Sequence, residues 1–226
     1  LKGWQRGNGV FAGRGAVGAG SAPAAGGVVV ALVHGSYHRS CCVFRRGDHT
    51  AALFDVMTQD PLKPPPMQYQ DILHFWFEEL TAKQHFAKDA VLDATIRERF
   101  GATLEAAARC ELFAWRATPE GRLAEIIVLD QFSRNVHRDT PRAFAQATLA
   151  LVLAQELVAS GQDRVLATAQ RVFAYMPYMH SESALVHEQA VALFTQPGME
   201  FNLDYELRHK AIIDRFGRYP HRNAVL

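Results

Sequence analysis

The chain has 226 residues, of which 49% are hydrophobic and 21% are charged, a balance typical of a globular protein with a buried core. Residues 1–66 hold seven of the 24 Lys and Arg residues but three of the 23 acidic ones, so the rest of the chain carries 17 basic and 20 acidic residues. This mild acidic excess excludes general nucleic-acid binding, which needs surplus positive charge to neutralise phosphates.

The first 66 residues differ in composition from the rest. Eleven of the 16 glycines lie there, and neither helical nor alternating periodicity is visible. We therefore expect residues 1–66 to be a low-complexity extension without a stable fold, upstream of a native start near Met67; a targeting or linker role is the alternative. The Gly13–Gly18 run fits a dinucleotide-binding pattern, but no predicted strand precedes it, so no cofactor is assigned. The apolar run 22–33 is too short to span a bilayer, and no membrane partner is expected.

The three cysteines do not suggest a disulfide framework. Cys41 and Cys42 are adjacent, and Cys110 is isolated. This usage favours a reducing compartment, so we expect a soluble cytoplasmic protein. Because Cys110 falls in a strongly helical stretch, we expect it to be a small buried hydrophobic residue.

From Met67 onward the apolar residues recur with helical spacing. Asp71 is the predicted N-cap of a helix over 72–80, and a second helix is expected to open near Asp89 and to stop or kink at Gly101. An alanine-rich helix follows over 102–114. The sequence Thr118-Pro119-Glu120 then predicts a helix start, because it combines a capping residue, a first-turn proline and an acid against the helix dipole.

Proline and glycine mark the later elements. Thr140-Pro141 predicts the start of a helix over 144–158 that ends at Gly161. Further helices are expected over 164–173, 183–194 and 203–216. We expect Pro177 to end the first of these and Gly217 to end the last. No segment alternates as a strand does. Residues 67–226 are thus predicted to form an all-α domain of stacked antiparallel helical hairpins, although no repeat of about 34 residues is visible.

Three segments contain more polar and charged side chains than a helical scaffold needs. In the first, residues 130–135, Asp130 and Arg134 are four apart and can pair across one helical turn. Asp130 continues the apolar face of the preceding helix, so we expect a buried carboxylate whose partner is Arg134. The pair serves either as a structural lock or as part of a ligand site with Gln131 and Asn135.

The second segment, residues 175–182, places His180 just before a predicted helix start. The free backbone N–H groups at such an end can bind an anion. Capping of the next helix accounts for Ser181 and Glu182, but it does not account for His180.

The third segment, residues 215–223, concentrates cationic and polar side chains in one loop: Arg215, Arg218, His221, Arg222 and Asn223. Arginine forks suit carboxylate and phosphate groups, and the alternative is that they satisfy the carbonyls at a helix end. Upstream, His209 is spaced with Tyr205, Ile212 and Phe216 and is expected on the inward face, as a core residue or as a base. No metal-ligand spacing such as H-E-x-x-H or C-x-x-C follows Met67, so no metal is predicted.

These segments also carry a resemblance. The runs Leu129–Asn135, Met176–Glu182 and Arg215–Asn223, with the opening Ile72–Phe77, are similar to the bacterial family catalogued as domain of unknown function 924. The resemblance runs from about residue 69 to the end of the chain. It implies an all-helical fold related to tetratricopeptide repeats and no established activity. Because that family usually continues past the His-Arg-Asn sequence of residues 221–223, the resemblance also implies that the domain is truncated at its C-terminus.

Two functions compete, and whether the protein is an enzyme stays open. In the first, the three segments converge on a cavity that binds a small anionic ligand, and one version of this hypothesis adds hydrolysis of that ligand. His180 or His209 would be the general acid or base, Asp130 and Glu182 would orient them, and the remaining residues would bind the ligand: Gln131, Arg134, Asn135, Arg215, Arg218, His221, Arg222 and Asn223. In the second, a concave helical face binds an acidic peptide. If the polar segments only stabilise helix ends, neither function applies.

Overall fold

The computed structural model describes residues 67–225. The expectations for the glycine-rich extension, the Gly13–Gly18 run and the pair Cys41 and Cys42 concern residues outside this range. Every regular element within residues 67–225 is helical, and none is a strand. The predicted all-α class is confirmed.

The helices are joined by short connections. They are α1 (Tyr69–His74), α2 (Ala82–Phe86), α3 (Ala90–Ala108), α4 (Pro119–Ile127), α5 (Ser133–Val136), α6 (Ala147–Ala159), α7 (Thr168–Met179), α8 (Ala184–Phe194) and α9 (Glu200–Phe216). One π-helical turn, Phe75–Glu79, extends α1, and another, Val128–Phe132, joins α4 to α5. Short 3₁₀ turns cover Phe113–Ala117, Pro141–Phe144, Gln162–Val165 and Pro220–Ala224.

Helix α4 and the π-turn that follows it form the centre of the domain. Helix α4 packs against α1, α6 and α7, and every residue over 123–133 is buried. Burial on all sides identifies a core helix rather than an amphipathic surface helix. Its start is the predicted one, since the Thr118 hydroxyl accepts the Gly121 N–H at 3.0 Å and Pro119 follows the cap. Polar side chains on this helix must therefore find their partners inside the protein.

The last four long helices pack in sequence order, α6 on α7, α7 on α8 and α8 on α9. This neighbour-to-neighbour packing is consistent with the expected stack of helical hairpins. The π-turn after α4 is fixed to the first helices by aromatic contacts. The ring of Phe132 lies 5.1 Å from that of Phe100 and 5.6 Å from that of Trp76, measured between centroids. Within residues 67–225, no helix combines the length and the apolarity needed to cross a membrane.

Two predicted helix breaks do not occur. Helix α3 continues through Gly101 to Ala108, because Phe100 and Leu104 on either side are buried and their packing outweighs the roughly 1 kcal/mol propensity cost of a glycine. Helix α7 contains Pro177 and runs on to Met179. Residues 172–179 are all buried, and their packing tolerates the one backbone hydrogen bond that a proline removes.

Three local predictions are also wrong. Asp71 is not the N-cap of α1, since the N-cap residue is Gln68, whose backbone N–H donates to Oδ2 of Asp71 at 2.9 Å. Cys110 is exposed rather than buried, because α3 ends two residues before it and Cys110 adopts a φ of 59° in the following turn. Ser181 does not cap α8, since the N-cap residue is Ser183. The Ser181 hydroxyl instead accepts the Ser183 N–H at 3.2 Å.

Candidate functional site

A cavity of about 570 Å³ lies where α2, the π-turn after α4, the start of α5, the end of α7 and α9 meet. This volume is ordinary for a small-molecule site. Its buried wall carries Gln131, Met176 and Met179, whereas aromatic residues with large exposed fractions stand at its mouth. The full lining is Lys83, Phe86, Ala87, Gln131, Arg134, Met176, Met179, His180, Phe201, Asn202, Tyr205 and His209.

A buried carboxylate holds the imidazole of His180 at this cavity. Asp130 is 2% exposed, and its Oδ2 accepts a hydrogen bond from Nδ1 of His180 at 2.8 Å. Arg134 donates to Oδ1 at 3.2 Å, so the predicted ion pair is present, and Gln131 donates to Oδ2 at 2.5 Å. The Nε2 atom of His180 has no hydrogen-bond partner within residues 67–225. This ring therefore presents a free nitrogen to the cavity.

The protonation states follow from the surroundings. Burial alone would raise the pKa of Asp130, but His180, Arg134 and the Gln131 amide outweigh burial and hold that pKa below its usual range. Burial and the positive charge of Arg134 lower the pKa of His180 below 6.5, against the opposing effect of Asp130. At neutral pH the carboxylate is ionised and the imidazole is neutral. Because Nδ1 carries the proton donated to Asp130, Nε2 is a hydrogen-bond acceptor.

The backbone that carries His180 is fixed by three side chains from later in the chain, which we call the carbonyl clamp. Tyr219 donates its hydroxyl to the Met179 carbonyl at 2.5 Å, and Arg222 donates Nη2 to the His180 carbonyl at 2.9 Å. His187 completes the clamp, with Nε2 2.9 Å from the Ser181 carbonyl. The last carbonyls of a helix lack intrahelical donors, and here helix α8 and the C-terminal turn supply them.

Behind the clamp lies a buried pair that joins α8 to α9. The Nδ1 atom of His187 is 2.6 Å from Oε1 of Glu206, and both side chains are fully buried. The other ring nitrogen faces a carbonyl oxygen, which can only accept. The pair is therefore neutral as a whole, either as imidazolium with carboxylate or as neutral imidazole with a protonated acid. No sequence spacing relates His187 to Glu206, which is why the sequence did not reveal them.

The structure brings five of the predicted site residues to the cavity. Gln131, Arg134, His180 and His209 line it, and Asp130 lies directly behind His180. The Nδ1 atom of His209 donates to the carbonyl of Tyr205 at 2.8 Å, which leaves Nε2 as its free nitrogen.

The inward face expected for α9 is displaced around the helix. Tyr205 and Phe216 are 42% and 49% exposed and Ile212 is only partly buried. The buried residues are Glu206 and Ile213, which follow Tyr205 and Ile212 by one position each. A shift of one residue turns a helix by about 100°. His209 accordingly lies at the border of the buried face, where it reaches the cavity.

Other predicted site residues lie elsewhere. Glu182 belongs to the clamp region, where its Oε1 accepts the Tyr219 N–H at 2.9 Å and lies 3.4 Å from Nη1 of Arg222. Asn135 donates to Asp93 at 2.8 Å, beside the ion pair that Asp93 makes with Arg138. Neither Glu182 nor Asn135 lines the cavity.

The cationic side chains of the third segment do not come together at the cavity. Arg215, Arg218, His221 and Asn223 are exposed, and none of them lines the cavity. Helix α9 continues to Phe216 with Arg215 on its solvent side, and Gly217, at a φ of 67°, then turns the chain. Among the third segment's arginines only Arg222 returns to the interior, where it holds backbone instead of ligand.

Five of the twelve lining residues lie outside the segments that the sequence singled out. Lys83, Phe86 and Ala87 come from α2 and the residue after it, and Phe201 and Asn202 come from the start of α9. These residues carry no motif and are separated from the polar segments along the chain. In the described part of the chain, no group of three or more His, Cys, Asp and Glu side chains is placed to hold a metal ion.

Within residues 67–225 the molecule is thus an all-helical domain in which Asp130, on the π-turn after the central helix, holds His180, at the end of α7, beside a cavity. Residues 72–226 match the family described as "Bacterial protein of unknown function (DUF924)", and the chain belongs to that family. The chain is also similar to the protein of unknown function ATU0120 from Agrobacterium tumefaciens. The two share 34% identity and a TM-score of 0.66 over 78% of this chain and 91% of that chain. The comparison with curated proteins gives no match.

Proposed function

We propose that the cavity binds a small molecule with an anionic group and that His180 acts on it as a general base. The observation that carries this proposal is the hydrogen bond from Nδ1 of His180 to the buried carboxylate of Asp130, which leaves Nε2 free at the cavity. A neutral imidazole held in one tautomer by a carboxylate is the arrangement that proton abstraction requires. Structural pairing alone does not need the second nitrogen to face a cavity.

Hydrolysis is the reaction that these groups support best. Nε2 of His180 takes a proton from a water molecule as the oxygen attacks the ligand's acyl carbon, and the same proton is later delivered to the leaving group. The charge of Asp130 stabilises the imidazolium that exists between these two steps. Arg134 uses Nε and Nη2 for Asp130, so its Nη1 hydrogens are available to an oxygen of the ligand.

The acidic-peptide alternative has less support. It relied on the three arginines of the third segment, but Arg222 is buried and bonded to the His180 carbonyl. Arg215 and Arg218 are exposed but stand apart from the cavity lining. The polar groups that remain unpaired face a cavity of small-molecule size, which favours a small ligand.

The test is a thermal-shift screen of the full chain against phosphorylated, carboxylated and neutral metabolites, followed by calorimetry and by assays for hydrolysis. We expect the variants His180→Gln and Arg134→Met to reduce both the shift and any turnover. His221→Gln is the matched control, because His221 is an exposed imidazole that does not line the cavity. The proposal would be refuted if the thermal shift of each hit were the same in the control and in the site variants, or if the screen gave no hit.

A further inference from the structure

The positive and negative charges around the cavity do not cancel. Arg134 is paired with Asp130, and with the imidazoles counted as neutral these two groups contribute no net charge. Lys83 lines the cavity from α2 and has no ion-pair or hydrogen-bond partner within residues 67–225. One uncompensated positive charge therefore remains at the cavity.

Most of the remaining lining is apolar. Phe86, Phe201 and Tyr205 stand at the mouth, with exposed fractions of 62%, 67% and 42%. Met176 and Met179 are buried deeper, beside His180. Aromatic rings and flexible thioethers cover hydrocarbon of varied shape, and exposed rings at a cavity mouth lose contact with water when a ligand fills it.

From this charge balance and this lining we propose that the ligand is an amphipathic monoanion, a carboxylate on an apolar chain or ring, whose carboxylate is bound by Lys83. This inference rests on the proposed function and specifies the class of molecule that the cavity takes. A monocarboxylate matches the single uncompensated charge, whereas the dianion of a phosphate monoester would leave one negative charge without a partner.

The position of Lys83 suits this role because α2 is attached weakly. Helix α2 has five residues, and none of them is buried. It is fixed through His85 and Phe86. Nε2 of His85 donates to the Trp76 carbonyl at 2.7 Å, its ring stacks on the Trp76 ring at 4.7 Å, and the rings of His85 and Phe86 lie 5.0 and 6.3 Å from that of Phe173. A short helix with so little buried surface moves at a small cost in free energy, so Lys83 can adjust to carboxylates on apolar chains or rings of different length.

The test is calorimetry on the full chain with octanoate and 3-phenylpropanoate, each compared with its primary amide, and with phenyl phosphate. We expect each carboxylate to bind at least about tenfold more tightly than its amide. Lys83→Met should weaken carboxylate binding about five- to tenfold and leave amide binding unchanged, and Lys83→Arg should retain most of the affinity. Lys88→Met is the matched control, because Lys88 lies close in sequence but pairs with Asp139 away from the cavity.

Each outcome decides the inference. Equal affinity for acid and amide, or an unchanged affinity in Lys83→Met, overturns the assignment of the charge to Lys83. Tighter binding of phenyl phosphate overturns the monoanion class. If no acid or amide binds, the ligand class is wrong, while the proposed function is judged separately by the broader metabolite screen and by its response to His180→Gln. Lys83 is exposed, so the variants are expected to fold, and circular dichroism verifies this.

Discussion

The substitution Asp130→Asn tests the central element of the site. It removes one negative charge and preserves the size of the side chain. Asp130 is 2% exposed and accepts hydrogen bonds from Arg134, Gln131 and His180, so its loss leaves the Arg134 guanidinium beside a neutral amide. The protein then holds an uncompensated cation in a largely buried position.

The size of the effect follows from burial. Breaking a buried ion pair by removing one partner costs about 3–5 kcal/mol. Because asparagine keeps an acceptor oxygen and the Arg134 side chain is 22% exposed, we expect a loss of about 2–3 kcal/mol in the free energy of unfolding. For a domain of this size that loss corresponds to a fall of about 5–10 °C in Tm.

The assay is urea denaturation and thermal unfolding of the wild type and the variant at pH 7. Glu105→Gln is the matched control, since Glu105 also pairs with an arginine, Arg142, at 2.7 Å, but both side chains are at least half exposed. The control should cost no more than about 1 kcal/mol. Equal losses in Asp130→Asn and Glu105→Gln would show that burial does not govern these pairs and would refute the reasoning.

Three further predictions concern backbone space, the clamp and pH. Gly121→Ala should lower the free energy of unfolding by at least about 2 kcal/mol, because the new Cβ would overlap the Trp115 carbonyl. Gly101→Ala should raise it by about 0.5–1 kcal/mol, because a Cβ there meets nothing within 4 Å. Denaturant titration measures both changes, and two changes of the same sign would contradict the local geometry. Tyr219→Phe removes the hydroxyl donated to the Met179 carbonyl and should cost about 1–2 kcal/mol, with faster amide exchange in residues 179–182; an unchanged exchange rate would contradict the clamp. The pKa of His180 is lowered in the folded protein, so between about pH 6.5 and 5 the unfolded chain binds a proton that the folded chain does not, and wild-type stability should fall by about 1–2 kcal/mol over that range. His180→Gln should show a shallower pH dependence, and identical slopes would contradict a neutral His180.

Several features could be predicted from the sequence because they depend on neighbours along the chain. Helical spacing gave the all-α class, the pattern Thr118-Pro119-Glu120 gave the start of α4, and the four-residue interval between Asp130 and Arg134 gave their ion pair. Breaks at Gly101 and Pro177 were predicted wrongly because propensity is a weak preference that packing of buried neighbours overrides.

What the sequence by itself determined was the type of each local segment and which carboxylate would be buried, because hydrogen bonding within a helix and periodicity are short-range properties. Only the tertiary structure decided that Asp130 meets His180 from 50 residues away, that Lys83 and His209 share one cavity, and that Arg215 and Arg218 face solvent. The physical reason is that these placements depend on how whole helices pack. A rotation of α9 by a single residue moves a side chain by about 100° around the helix, and no local pattern specifies that rotation.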